Sequence, residues 1–233
     1  MTNEAVLIPI KGFESAKIRL SAVLDSDARA DLAKELASSV VSACLETPVF
    51  IVCEDDAVES WAQNLGAEIL RNPSEGLNEA VDFGFRSLKR KGFESVLITH
   101  GDLVYPAGLL SLFEMEEIVI VPDSELDGTN VLVLPTSIDF EFSYGPNSYM
   151  RHLKSASKSE AKVLVMTDSQ FVDAFNDLAR RGDPLQRPST RSRRAPGGGG
   201  RKKRGRRSRS KSRSKSRSKS RSKSRKKRKT RKT

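Results

Sequence analysis

The run Ala5-Val6-Leu7-Ile8-Pro9-Ile10, which delivers Lys11 at its end, decides how the rest of the chain is read. A short and nearly unbroken apolar stretch suits a strand buried on both faces of a parallel sheet. Downstream, Ser26 offers a helix N-cap with Asp27 in the first turn, and Leu32, Leu36, Val40 and Cys44 recur at helical spacing. A second strand is then expected over residues 49–53, a helix over 56–65 and a third strand over 67–70. After the loop 71–75 a third helix runs over about 77–90 and stops at Gly92. Further β-rich runs occupy 96–99, 118–121, 131–134 and 163–166. Strands alternating with helices predict an α/β three-layer domain with a mainly parallel sheet. Ligands in such folds bind beyond the carboxyl ends of the strands, and Lys11, Asp102 and Asp123 all follow strands directly.

The formal charge of +11 hides two opposed parts. Of the 41 Lys and Arg residues, 25 lie at Arg187 or beyond, where there is no Asp or Glu, so the preceding 186 positions hold 16 basic residues against 30 acids, a balance of −14. The basic end is made mostly of Arg, Lys and Ser, with four consecutive glycines from Gly197 to Gly200, and is too polar to bury a core. We therefore expect residues 1–182 to form one domain and residues 183–233 to be a disordered basic tail. From Ser208 to Arg225 the tail alternates Ser with Arg or Lys. Such charge attracts nucleic acid by counterion release, so nonspecific nucleic-acid contact is one expectation for it and a solubilising extension the other.

Cys44 and Cys53 lack the spacing of a metal site or a disulfide framework. No stretch approaches the roughly 20 apolar residues of a membrane span, and the N-terminus has no basic segment leading into a long apolar run. The expectation is a soluble cytoplasmic protein with no membrane contact; the sequence leaves its oligomeric state open.

Several segments carry groups suited to phosphate chemistry. Lys11, Lys17 and Arg19 fall in one loop after the first strand, where they could converge on a polyanion such as a triphosphate or form a solvated basic surface. Gly76-Leu77-Asn78 opens a helix whose free N–H groups could meet a base or a phosphate, or it is an ordinary helix start. Asp102, behind Gly101, could hold Mg²⁺ against substrate phosphates or cap the turn ahead of Pro106. His100 reads as a hydrogen-bonded turn residue rather than an acid or base. Gly128-Thr129-Asn130 and Gly145-Pro146-Asn147-Ser148 combine close backbone approach with hydroxyls that bond phosphate or carboxylate oxygens, although either could be a turn.

Taken in order, these segments resemble the guanylyltransferases of deazaflavin coenzyme F(420) biosynthesis, which act on 2-phospho-L-lactate or phosphoenolpyruvate. The resemblance runs from Ala5 to about Ala179. It rests on Ile8-Pro9-Ile10-Lys11 with Ala16-Lys17-Ile18-Arg19-Leu20, on Gly76-Leu77-Asn78, on Asp102-Leu103 and on Gly128-Thr129-Asn130. Phe142-Ser143-Tyr144-Gly145-Pro146-Asn147-Ser148, followed by Arg151-His152-Leu153, completes it. It implies a nucleotidyltransferase fold of the nucleotide-sugar type, GTP as donor, Mg²⁺ as cofactor and a small phosphorylated three-carbon acid as acceptor. Carried across, Thr129, Gly145 and Ser148 hold the acid, and Asp102 and Asp173 hold metal. Lys11, Gly76 and Asn78 fall to the nucleotide, with Lys17 and Arg19 as catalytic cations offsetting charge on the triphosphate. Two departures stand out: Phe171-Val172-Asp173 replaces the family's Asp-x-Asp, and Asp102-Leu103-Val104 replaces Asp-Leu-Pro. They leave open whether one or two metal ions bind.

Two other readings remain. A nucleotidyltransferase of the same fold with another phosphorylated acceptor usually carries a glycine-rich first loop, whereas Lys11-Gly12-Phe13-Glu14-Ser15 has a single glycine. An RNA-binding protein acting through the Arg/Ser tail would be expected to show an aromatic-rich basic face for stacking bases, which the body lacks.

Overall fold

The computed structural model describes residues 3–14, 21, 24–72, 75–167 and 171. Lys17, Arg19, Asp173 and the whole basic tail lie outside the described residues. The chain divides into two units, 1–188 and 189–233, and every described residue belongs to the first.

The opening run forms strand β1, Glu4–Pro9, with residues 5–8 buried on both faces. Helix α1, Ser26–Cys44, returns the chain to β2, Val49–Cys53, and α2, Asp56–Asn64, leads to β3, Glu68–Arg71. Helix α3, Leu77–Lys91, ends at Gly92, whose N–H caps the carbonyls of Leu88 and Lys89. Strand β4, Ser95–Thr99, is followed by a 3₁₀ turn at Leu109–Glu114, then by β5, Ile118–Pro122, and β6, Thr129–Pro135. Helix α4, Ser148–Ala156, and β7, Val163–Val165, complete the described elements.

The strands form one sheet in the order β3-β2-β1-β4-β6-β5-β7. Because successive side chains along a strand point to opposite faces, two apolar layers result. Val6, Ile8, Ile51, Leu97 and Val131 pack with α1, α2 and the 3₁₀ turn, while Leu7, Phe50, Val52, Ile98 and Leu132 pack with α3 and α4. The predicted three-layer α/β architecture is what forms. Among the described residues, no helix is long and apolar enough to cross a membrane.

Three details differ from the sequence reading. The N-cap of α1 is Asp25, not Ser26: Asp25 is extended and its carboxylate accepts the Ala28 N–H at 2.9 Å, which makes Ser26 the first helical residue. The buried face of α1 is drawn by Ala33, Ala37, Val40, Val41 and Cys44, with Leu32 and Leu36 only half-buried, so small residues bring the helix close to the sheet. Ser148 closes the turn expected from sequence, its N–H donating to the Gly145 carbonyl at 3.0 Å, and is also the first residue of α4, a helix the sequence reading did not include.

Strand β6 positions the site. The pairings β1–β2, β2–β3, β1–β4 and β5–β7 are parallel, but β6 runs antiparallel to both β4 and β5. Its first residue, Thr129, pairs with Pro122 at the end of β5, and Val131 pairs with Thr99 at the end of β4. The reversed strand therefore puts its beginning at the edge where its neighbours finish.

Candidate active site

After β3 the chain crosses back to pair β4 on the other side of β1, so the carboxyl ends of β1 and β4 flank a topological switch point, the place where open α/β sheets bind ligands. Lys11 follows β1, and His100-Gly101-Asp102 follow β4. Lys11, Gly12, His100 and Asp102 line a cavity of about 260 Å³ over Ala33 and Ala37 of α1. On the other side of Lys11 lies a second cavity, about 200 Å³, whose walls include Glu54, Asn72, Glu75, Gly76 and Leu77. Gly76 caps the start of α3 at φ 111° and ψ 148°, a conformation open essentially to glycine alone, and the Glu79 carboxylate lies against it where a side chain would stand. Cys53 also lines this cavity. Burial pushes its thiol above the usual range, and that of Cys44 up to about 12, so neither is a thiolate nucleophile at neutral pH.

A second cluster forms around the starts of β6 and α4. Asp127 joins them: its carboxylate accepts the Asn147 N–H at 2.8 Å and its carbonyl accepts the Tyr149 N–H at 3.0 Å. Gly145, at φ 109°, turns the chain so that its carbonyl accepts the Ser148 N–H at 3.0 Å. Ser148 and His152, four residues apart, share the buried face of α4. His152 is fully buried and bonded at both nitrogens: Nε2 accepts the Ser143 N–H at 3.0 Å, and Nδ1 lies 2.9 Å from the Thr129 hydroxyl oxygen. Burial, with the nearby Arg151 and His100, pushes its pKa down to about 4, so the ring is neutral at physiological pH. The Tyr144 ring stands edge-on to both His100 and His152, at 5.3 and 4.7 Å between centroids.

The structure thus sorts the expected site residues into two groups. Lys11, Gly76 and Asp102 surround the switch point, and Thr129, Gly145 and Ser148 surround the start of α4. His100 spans the two, because it lines the first cavity while its Nε2 donates to the Thr129 carbonyl at 3.1 Å. It is a hydrogen-bonded turn residue, as its sequence context suggested. Asn78 also connects the two sides: its side-chain oxygen accepts the Tyr144 N–H at 2.6 Å and its NH₂ donates to the Tyr144 carbonyl at 3.4 Å. Asp123 is engaged within its own loop, accepting the N–H groups of Glu125 and Asp127.

A carboxylate at Asp102 is the hard oxygen donor that Mg²⁺ prefers, and Mg²⁺ commonly binds through one or two carboxylates together with substrate phosphates. Among the described residues no group of three or more His, Cys, Asp or Glu side chains is assembled to enclose a metal. Phe171, which the sequence resemblance sets opposite a metal-binding aspartate, is buried in the apolar layer of α1 and α2, and its carbonyl accepts the buried Asn130 side-chain NH₂ at 2.8 Å. His152 and the Asn78 clasp were not singled out from sequence as site features. The signal for His152 was its spacing of four from Ser148 on one helical face.

A family model described as "Guanylyl transferase CofC like" matches residues 4–179. A phosphoenolpyruvate guanylyltransferase from Rubrobacter xylanophilus is 35% identical over 186 residues, covering 75% of this chain and 91% of its own. A 2-phospho-L-lactate guanylyltransferase from Methanocaldococcus jannaschii is 28% identical over 166 residues, covering 69% and 72%. Among solved structures, a protein from Desulfovibrio desulfuricans G20 described as a nucleotide-diphospho-sugar transferase matches at a TM-score of 0.62 and 17% identity, covering 82% of this chain and 93% of its own. That likeness shows a shared nucleotide-diphospho-sugar transferase-like fold.

Proposed function

The chain belongs to the CofC-like guanylyl transferase family, and from that premise we propose that it transfers a guanylyl group from GTP to phosphoenolpyruvate or 2-phospho-L-lactate, releasing pyrophosphate, in coenzyme F(420) biosynthesis. The observation that carries this reading is the pairing of the family match over residues 4–179 with a site that has two distinct sides at one sheet edge.

The two cavities flanking Lys11 would share the nucleotide. Each is smaller than the roughly 300–1,000 Å³ of a typical ligand pocket, so a nucleoside triphosphate would span both. Glu54 and Glu75 make the smaller cavity unfavourable for phosphates and suited to the N–H donors of guanine. The cavity of Lys11 and Asp102 is the better place for the triphosphate. Mg²⁺ bound at Asp102, and at Asp173, would neutralise charge on the triphosphate and on the departing pyrophosphate. Lys17 and Arg19 are proposed to add cationic charge at the same place.

Thr129, Gly145 and Ser148 are proposed to hold the acid. Its phosphate, with a second pKa near 6, is mostly dianionic at neutral pH. A phosphate oxygen attacks the α-phosphorus of GTP, the bond from that phosphorus to the α–β bridging oxygen breaks, and the electron pair leaves with pyrophosphate. No proton has to be removed from the nucleophile, so a buried neutral His152 is no obstacle. Catalysis then reduces to alignment and charge neutralisation.

We propose residues 1–182 as the catalytic domain, acting in the cytoplasm. The basic tail, which carries 25 cationic residues and no acidic one beyond Arg187, is proposed as a nonspecific polyanion contact that transfer does not need. Incubating the protein with GTP, Mg²⁺ and phosphoenolpyruvate, 2-phospho-L-lactate or a phosphoglycerate in turn, and measuring pyrophosphate, tests the activity. Release dependent on one of the first two acids is expected; release with none of the acids would overturn it.

A further inference from the structure

We propose that His152 is a positioning residue that turns the Thr129 hydroxyl proton toward the acceptor's anionic oxygen. The inference rests on the assignment of Thr129 to the acid substrate, and it follows from counting protons.

The Ser143 N–H can only donate, so Nε2, which lies 3.0 Å away, is an acceptor and carries no proton. A neutral imidazole has one N–H, which must then be at Nδ1, and at 2.9 Å it donates to the Thr129 hydroxyl oxygen. Burying an imidazole without partners is costly, and here both nitrogens are satisfied by opposite roles that only one tautomer supports. With its oxygen occupied as an acceptor, the Thr129 hydroxyl has its own proton left to give. Among the described residues the structure records no acceptor for that proton. The backbone of Thr129 is held from the other side, since its carbonyl accepts from His100 Nε2 at 3.1 Å. The residue is therefore fixed at main chain and side chain, at the edge where the neighbouring strands end, with one donor uncommitted. A carboxylate or phosphate oxygen is its chemical complement.

Tyr144 and Phe140 close the other sides of the imidazole with ring contacts at 4.7 and 5.7 Å. The ring thus cannot swing to exchange its partners without displacing aromatic neighbours. His152 touches no reacting atom in this scheme. It acts through Thr129.

The first test reads the tautomer directly, by two-bond ¹H–¹⁵N correlation on the ¹⁵N-labelled full-length chain at neutral pH. A proton on Nδ1 is expected; a proton on Nε2 would overturn the proposal without any variant being made. The second uses two substitutions that divide the ring's functions. His152→Asn places an amide N–H near the position of Nδ1 and keeps the donor to Thr129. His152→Gln places its carbonyl oxygen near the position of Nε2 and keeps the acceptor for Ser143 while losing that donor. The Gln variant should raise the acceptor KM about tenfold with the GTP KM unmoved, and the Asn variant should stay within about threefold of the native value. In a Thr129→Val background the Gln change should add nothing further, because the two residues act as one unit. Equal rises in both KM values, or a Gln effect that persists undiminished in that background, would reduce His152 to a packing role and overturn the proposal. If Thr129→Val raised the acceptor KM but His152→Gln did not, the positioning role would fail alone. If Thr129→Val left the acceptor KM unchanged, the acceptor assignment would fail and take this inference with it.

Discussion

At the ends of β1 and β4 the polar groups belong mostly to loops and to main chain: Lys11 between two cavities, Asp102 half-buried, and the start of α3 behind Gly76. At the starts of β6 and α4 they are buried side chains, Thr129, Ser148 and His152 each no more than 3% exposed, and the Thr129 hydroxyl is already bonded to His152. The first region is open and waits for charge to be supplied. The second is prepared, its donors and acceptors set before any ligand arrives. A guanylyl transferase has use for both, because a triphosphate is largely held by cations and backbone N–H groups, whereas telling one small phosphorylated acid from another depends on donors held rigidly in place.

Substitutions should break that contrast in different ways. The largest effect is expected from Asp102→Asn, which keeps the size of the side chain and removes its charge. Mg²⁺-dependent turnover should fall by at least about a hundredfold with the melting temperature preserved; near-normal turnover at limiting Mg²⁺ would remove Asp102 from the metal site. Next comes Asn78→Ala, because the lost amide leaves the Tyr144 N–H without its acceptor and the Tyr144 carbonyl with only the 3.5 Å contact from Arg151. A loss of roughly 1–3 kcal/mol at a residue joining both regions should weaken both substrates together, each KM rising about tenfold. An effect confined to GTP would instead make Asn78 a direct nucleotide ligand.

Smaller still is Gly76→Ala. The left-handed φ of 111° penalises any side chain, at about 1–3 kcal/mol, and the strain sits at the start of α3 beside the smaller cavity. GTP binding should weaken severalfold while acceptor binding holds, as isothermal titration of each ligand would report. The smallest effect belongs to the basic end. A chain ending at residue 182 should keep full kcat with both substrates, and loss of most turnover in a folded truncated protein would give the tail a part in catalysis.

The two regions also differed in how far sequence alone revealed them. Strand β1, with residues 5–8 buried, and α3, closed by Gly92, follow apolar period and capping chemistry closely. Helix α4 did not show itself, because Tyr149, Leu153 and Ala156 recur at helical spacing over only nine residues, share the inward face with Ser148, His152 and Ser155, and follow an N-cap, Asn147, that makes no side-chain capping bond. So short a period, interleaved with polar residues, is hard to tell from a loop. The direction of β6 was equally hidden, since residues 131–134 are buried on both faces and a continuous apolar run reads the same in a parallel or an antiparallel pairing. That one reversal carries Thr129 to the binding edge. Lys11 and Asp102 needed only the rule that ligands gather beyond strand ends, whereas the Thr129–His152 pair needed a contact across 23 positions of sequence.

The central claim is that the prepared region holds the acid and the open region holds the nucleotide. Steady-state titration of GTP and acceptor separately in Thr129→Val and Ser148→Ala tests it most directly. A hydroxyl bonded to a charged group contributes roughly 1.5–3 kcal/mol, so each variant should lower kcat/KM for the acceptor by about one to two powers of ten while the GTP KM stays within twofold. An equal loss for both substrates, or a loss for GTP alone, would place these hydroxyls in the nucleotide site and contradict the division of the edge.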